Sequence, residues 1–526
     1  MELSREQQTS FDKYIRGENI FITGPGGSGK SALIKKIYQH ATFGYKHIQV
    51  CALTGCAAVL LNCKAKTIHS WSGIGLGNGS IEEIIKKIKK NKYSKKSWME
   101  TDILVVDEVS MMSLKLFDLL NQIGKTIRRN VKPFGGIQLI FSGDFYQLPP
   151  VGNRDDPDTA RFCFESEEWN TLFHVNNQIQ LQKIFRQTDD VYASILNQIR
   201  EGKIKRKSND LLIQYVGRSI DPNLVIEPTK IYPTKNKVEN INNIKMDSLH
   251  TEEKEFTMKY VKDVEMTKAE KEIRSQFTEE DIQMELDYLA GNLICDKSMK
   301  LKIGCQVMSV VNIVSSKGSD DGLDICNGSQ GIIVGFCDVT KCPIVKFNNG
   351  FKKTMTYNVW SSEKIPGIGV SQVPLILAWA LTIHKSQGAT MDAAEIDVGS
   401  GIFECGQTYV ALSRVKSLEG LYLTSFDVTR IRINKKVQTF YNELTNNQNS
   451  LKEKENDNDN KDKKDPSTTD TDVVKENPFT QYEYVTKDTT KVKVKDNTEL
   501  ELKEETYNDN VKENNIDKNI KVIRFL

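Results

Sequence analysis

No run of 18 apolar residues occurs anywhere in this 526-residue sequence, so no membrane-crossing helix is expected. The opening residues, MELSREQQ, lack the apolar core of a secretory signal, and no Arg-rich leader precedes the first recognisable block. Ten cysteines are present, yet none has C-x-x-C spacing, and Cys337 and Cys342 have no second pair or histidine cluster beside them. Neither a zinc site nor a disulfide framework is expected. Thiols such as Cys51, in IQVCALT, read as small hydrophobes in a reducing compartment. Net charge is also nearly absent, at +2. That figure hides a division: residues 1–442 carry 57 basic and 50 acidic side chains, while residues 443–526 carry 15 and 20. The mildly basic body permits a polyanionic partner without requiring one. No internal repeat is visible. The expected setting is intracellular, nuclear or cytoplasmic (a viral factory included), with no secretion and no membrane partner.

What is present is alternation. A chain of this length exceeds one core, and two to four domains are expected. The first 175 residues alternate short apolar runs with amphipathic stretches, the pattern of helices layered on a parallel sheet. NIFIT (19–23), HIQVCAL (47–53), DILVVD (102–107) and IQLIFSG (137–143) read as buried strands. Residues 80–96 form a lysine-rich amphipathic appendage. A second α/β unit is split, over 176–250 and 375–440, around an insertion at 251–374. The insertion begins charge-rich and helical. From 301 to 360 it turns β-branched with Gly turns, which predicts a small β-barrel. From 441 to 526 the composition collapses to Asn, Asp, Lys, Glu and Thr. Such a tail cannot bury enough apolar surface to offset its ordering entropy and is expected to be disordered. Its end, IKVIRFL, is apolar and basic, a candidate contact for a protein partner.

GPGGSGKS (24–31) fits G-x-x-x-x-G-K-[ST] between a predicted strand and a predicted helix. In this block Gly24, Pro25, Gly26, Gly27, Ser28 and Gly29 would wrap phosphates with backbone N–H groups at a helix N-terminus. Lys30 would set a compact cation on the β- and γ-phosphates, and the Ser31 hydroxyl would ligate magnesium. In VVDEVS (105–110), Asp107 would hold the same magnesium and Glu108 would polarise an attacking water. A GTPase needs N-K-x-D to read guanine. Asn236-Lys237-Val238-Glu239 misses it by the final residue, and no D-x-x-G switch follows the glycine loop.

FSGDFYQLPPV (141–151), LSREQ (3–7) and DEVSM (107–111) together resemble the superfamily 1 helicases of the Pif and RecD-like group. The resemblance continues through TGCAA (54–58), TIHSWSGIGLG (67–77), IFRQ (184–187) and QIREG (198–202). It then takes in LKIGCQVM (301–308), NGSQG (327–331), ALTIHKSQGAT (380–390) and GQTYVALSRV (406–415). It implies two RecA-like P-loop NTPase domains with a small β-barrel insertion, using ATP and magnesium. Gln7 would read the adenine edge. Gln147 would sense the γ-phosphate, and Arg186 and Arg414 would approach that phosphate from the second domain, where a planar fork suits equatorial oxygens.

The resemblance also implies movement 5′→3′ along single-stranded DNA, unwinding of forked duplex, and duties in repair, recombination, replication or telomere maintenance. Thr54, Thr67, His69, His384, Lys385 and Ser386 are the implied DNA contacts, with Trp71 and Phe145 available to stack bases. Trp379, inside LAWAL, reads as core. A monomer is expected. Two readings from other classes stay open: a translocase that strips proteins without separating strands, and a binding protein with a decayed site. The intact acid, lysine and arginine positions oppose the second.

Overall fold

The structure, a computed structural model, describes residues 3–461 except 62, 76, 78, 154, 221–225, 263, 312, 314–324, 326–327 and 363–364. Six parallel strands make the first sheet, in spatial order Lys66–Thr67, Ile48–Ala52, Ile103–Asp107, Gln138–Gly143, Ile20–Thr23 and Gln178–Gln180. The four apolar runs are thus strands, and their side chains alternate between two cores. Ile22, Val50, Val105 and Ile140 pack against Leu33, Ile34 and Ile37 of the helix Lys30–Phe43. Phe21, Val106 and Phe141 face Phe117, Trp169 and Phe173 on the opposite side. Strands buried on both faces need continuous apolar sequence, which is why they were legible as runs.

Four parallel strands form the second sheet: Ala380–Thr382, Thr229–Tyr232, Ala394–Val398 and Leu421–Phe426. The chain departs after Thr229–Tyr232 and the helix Lys235–Asp247, and returns to this sheet at Ala380. The interruption holds the helices Lys268–Arg274 and Glu279–Asn292 and a five-stranded antiparallel sheet. That sheet runs Lys352–Thr354, Pro343–Phe347, Gln330–Phe336, Gln306–Ser309 and Leu375–Leu377. A small β-barrel was expected over 301–360. Among the described residues the sheet's two outer strands do not pair with each other. Gln306 and Gln330 both donate side-chain N–H groups to Thr229 Oγ1, at 3.3 and 2.6 Å, joining the inserted sheet to the second sheet.

The appendage consists of two helices, Ile81–Lys90 and Lys92–Glu100, the first closed by a Ser80–Glu83 capping box. Ile84, Ile88 and Trp98 bury its apolar stripe in the first core while its lysines face out. Tyr93 stacks on Phe277 at 4.1 Å, and the Tyr93 hydroxyl donates to the Ile273 carbonyl. No described helix is long and apolar enough to cross a membrane.

One boundary needs correction. The polar tail was expected from 441, but a helix spans Lys435–Lys461. Val437, Tyr441 and Leu444 share one helical face and are buried in the first core. Three apolar residues at this spacing anchor a helix whose overall composition is polar. Leu444→Ala should therefore cost about 2–5 kcal/mol. A urea midpoint equal to that of the parent chain would show that this helix contributes nothing. The tail beyond 461, with IKVIRFL, lies outside the described residues.

Candidate active site

The glycine loop joins the strand Ile20–Thr23 to the helix Lys30–Phe43. Gly24 sits at φ 147°, and a Cβ there would lie 2.5 Å from the Leu181 carbonyl oxygen. Gly27, at φ 84°, would run its Cβ into Arg186 Cβ. Glycine is needed at these positions for backbone conformation and because the chain around 181–186 crosses tightly over the loop. Phe185 N–H donates to the Gly27 carbonyl at 2.8 Å along that crossing. Lys30 Nζ donates to the carbonyls of Gly24 (2.8 Å) and Pro25 (3.1 Å). Burial lowers the Lys30 pKa, opposed by the carboxylates of Asp144, Glu108 and Asp107. Ser31 is exposed at the helix start, and the buried Ser28 hydroxyl has no hydrogen-bond partner.

Asp107 ends its strand beside this loop. Burial raises its pKa, partly offset by the nearby charge of Lys30. Glu108 occupies the left-handed region at φ 56°, a conformation that non-glycine residues adopt where surrounding structure enforces it. Its pKa is pushed up to about 7, chiefly by burial and next by the Asp107 charge. Its Oε2 accepts from Gln387 Nε2 at 3.1 Å.

Arg186 and Arg414 complete the cleft. Arg414 is 2% exposed and is fixed by the Val410 carbonyl (2.7 Å), Ser413 Oγ (2.7 Å) and the Ser386 and Ala389 carbonyls. Arg186 Nη1 donates to the Ser413 carbonyl at 3.3 Å. Burial lowers both pKa values, and Arg186 lowers that of Arg414 further. Among the described residues neither arginine forms an ion pair, and Arg414, buried, and Arg186, half-buried, face the glycine loop across a cleft of about 740 Å³. An anionic ligand bound between them would supply the missing counter-charge. Gln147 lines the same cleft, its N–H bonded to the Asp144 carbonyl.

Gln7 is buried against the back of the loop. Its Oε1 accepts from Ser4 N–H, and its Nε2 donates to the Ser28 and Gly29 carbonyls at 3.4 and 3.3 Å. Thr54, His384 and Lys385 line the phosphate cleft itself. Thr67 and His69 lie elsewhere: the Thr67 hydroxyl caps Ser70 N–H and bonds the Tyr288 hydroxyl, and His69 lines a separate hollow with Pro150 and Val151. Ser386 is fully buried, its hydroxyl donating to the Ile383 carbonyl at 2.8 Å, so the DNA contact expected of its side chain is corrected: burial closes that oxygen to a nucleic-acid strand. Trp71 and Phe145 are buried as well, so the stacking role expected of them is corrected to core packing; Trp379 is core, as read. Sequence reasoning passed over Tyr409, whose hydroxyl accepts the Gly26 N–H at 2.7 Å, and Gln387, although both lie in quoted blocks.

A glycine loop and acid pair on one parallel sheet, facing arginines carried by the segments around a second, define the class of P-loop proteins, with a candidate site that needs both sheets. A family model described as PIF1-like helicase matches residues 2–210. The chain is 33% identical over 497 residues to ATP-dependent DNA helicase PIF1 of Emericella nidulans, covering 83% of this chain and 62% of that protein. It is 32% identical over 497 residues to ATP-dependent DNA helicase RRM3 of Saccharomyces cerevisiae, covering 84% and 68%. The crystal structure of Pif1 helicase from Candida albicans aligns with TM-score 0.66 and 32% identity over 84% of this chain and all of that one. A Bacteroides Pif1 helicase in complex with ADP-AlF3 and single-stranded DNA aligns with TM-score 0.57 and 28% identity, over 85% and 98%. This chain belongs to the PIF1-like helicase family. It spans about three fifths to two thirds of the length of these curated relatives.

Proposed function

We propose that the chain is an ATP-dependent DNA helicase, monomeric, moving 5′→3′ on single-stranded DNA and opening forked duplex in DNA maintenance. The observation that carries this reading is the pair of arginines without an ion pair among the described residues, Arg414 buried and Arg186 half-buried, opposite the glycine loop. They complete an anion site only when both sheets contribute, so occupancy and lobe closure are linked. In this reading the two sheets are RecA-like domains: the first is 1–175 together with the strand Gln178–Gln180 and the helix Lys435–Lys461 that packs in its core, and the second is the remainder of 176–250 with 375–434. The antiparallel insertion is a barrel-like module.

Lys30 holds the β- and γ-phosphates. Water attacks the γ-phosphorus while its proton passes to Glu108, and the bond to the β-bridging oxygen breaks. Lys30, Arg186 and Arg414 stabilise the charge on the phosphoryl oxygens, and Gln147 stands beside them. Ser31 Oγ, exposed at the loop, and Asp107 on the adjoining wall are hard oxygen donors that suit magnesium. That ion would neutralise phosphate charge there. Gln7, pressed against the loop, would hold the base side. Thr54, Thr67, His69, His384 and Lys385 are the proposed contacts along the DNA backbone, with little sequence reading. Ser386 contributes through its carbonyl on Arg414.

The test of direction is a duplex with one single-stranded tail. Unwinding with a 5′ tail and none with a 3′ tail is the expected result; the reverse leaves the motor standing but refutes the polarity. A chain that hydrolyses ATP with DNA yet separates neither substrate would be a translocase.

A further inference from the structure

The helix Lys435–Lys461 delivers one side chain to the rear of the nucleotide site. The Tyr441 ring is 5% exposed, and its hydroxyl has three neighbours. It accepts from Phe145 N–H at 3.1 Å, and lies 2.6 Å from Thr23 Oγ1 and 3.4 Å from Asp144 Oδ1. A phenolic oxygen has one proton and acceptor capacity for others, so these partners occupy it fully. Thr23 ends the strand that feeds Gly24. Asp144 and Phe145 open the turn that presents Gln147. The two strands are paired as far as Thr23 and Gly143, where their ladder stops. Tyr441 bridges the gap just beyond that last pair.

The surroundings leave this turn little slack. Arg200 grips Asp144 with two bonds, Nε to Oδ2 at 2.8 Å and Nη2 to Oδ1 at 2.7 Å. The guanidinium lies 4.6 Å from the Tyr146 ring and 5.3 Å from that of Tyr441, and the two rings stack at 4.7 Å and 11°. Arg200 ends the helix Asp190–Arg200, which begins shortly after Arg186. Across the turn, a Cβ on Gly406 would lie 2.5 Å from the Gln147 carbonyl oxygen.

We infer that Tyr441 is a positioning residue for hydrolysis, its hydroxyl tying the end of the phosphate-loop strand to the turn that carries Gln147. This rests on the ATP-hydrolysis reading. The tie holds two otherwise diverging backbones in one register, with the Arg200–Asp144 pair as its second half. The C-terminal helix is then part of the motor and not a cap on it.

Tyr441→Phe in the full chain keeps the ring, its stacking and its burial, and removes one oxygen. With saturating single-stranded DNA, kcat for ATP should fall about tenfold while KM for ATP stays within about twofold. The thermal midpoint should move by only a few degrees, roughly the cost of one buried hydrogen bond. Thr23→Val should reproduce the kcat loss. The double variant should be no slower than the slower single, because both changes break the same tie. Wild-type kcat in Tyr441→Phe overturns the inference, as do losses that multiply in the double variant. Absence of ATP hydrolysis by the parent chain would instead sink the functional reading, which a defect confined to the variants cannot do.

Discussion

Lys30→Ala should reduce ATP hydrolysis by about a hundred- to a thousand-fold, the scale on which losing one preorganised electrostatic partner acts. Lys30 is the cation at the mouth of the helix Lys30–Phe43, and its Nζ already lies among loop carbonyls and facing carboxylates. The alanine also removes a counter-charge from Asp107, Glu108 and Asp144, so these acids will repel a polyphosphate more strongly. Affinity for single-stranded DNA should stay within a few-fold, because Lys30 is not among the proposed DNA contacts and its Nζ is tied to the Gly24 and Pro25 carbonyls. Steady-state turnover and fluorescence anisotropy on the same preparation check both halves. Wild-type turnover in this variant would refute the phosphate-loop assignment.

Glu108→Gln should bind ATP and DNA yet turn over about 10² to 10⁴ times more slowly, the usual cost of removing a general base. The substitution is clean for a structural reason. Gln387 donates to Glu108 Oε2, and a carboxamide oxygen can accept that same bond, so the loop geometry has no cause to change. What disappears is the capacity to take a proton. Comparing nucleotide affinity with single-turnover hydrolysis distinguishes the roles: affinity that collapses while hydrolysis per bound ATP survives would make Glu108 structural.

Much of this site was legible because its residues are forced by local chemistry. Gly24 and Gly27 answer to backbone conformation and crowding, and in the proposed reading Lys30 and Asp107 answer to the phosphate and metal chemistry of a loop between strand and helix. These demands act over a few residues and leave a spacing that can be read. Four of the six strands of the first sheet were equally plain, being apolar on both faces. The rest depended on long-range contact. Ser386 sits in a polar block but packs under Arg414, and Phe145 beside Gln147 faces inward to an aromatic cluster. Tyr441 was hidden by composition: Val437, Tyr441 and Leu444 carry a helical spacing, but Asn, Lys and Glu around them read as tail. A barrel was expected in the insertion because β-branched runs and Gly turns mark strands, but the pairing order depends on partners far apart in sequence, such as Gln306–Ser309 with Leu375–Leu377.

The split of the second sheet also shapes how this chain is made. Thr229–Tyr232 becomes a central strand only once Ala380–Thr382 and Ala394–Val398 pair with its two edges. About 150 residues separate it from the first of those partners. At ribosomal speeds of roughly 5–20 residues per second, both edges stay unpaired for around ten seconds or more during synthesis. Such edges are templates for pairing with other chains. The inserted sheet shortens this exposure in effect. Its strand Leu375–Leu377 runs straight into Ala380–Thr382, and Gln306 and Gln330 already reach Thr229, so folding of the insertion draws the late strands to their place. Closure then spans a folded module and not a long free loop, which lowers its entropic cost.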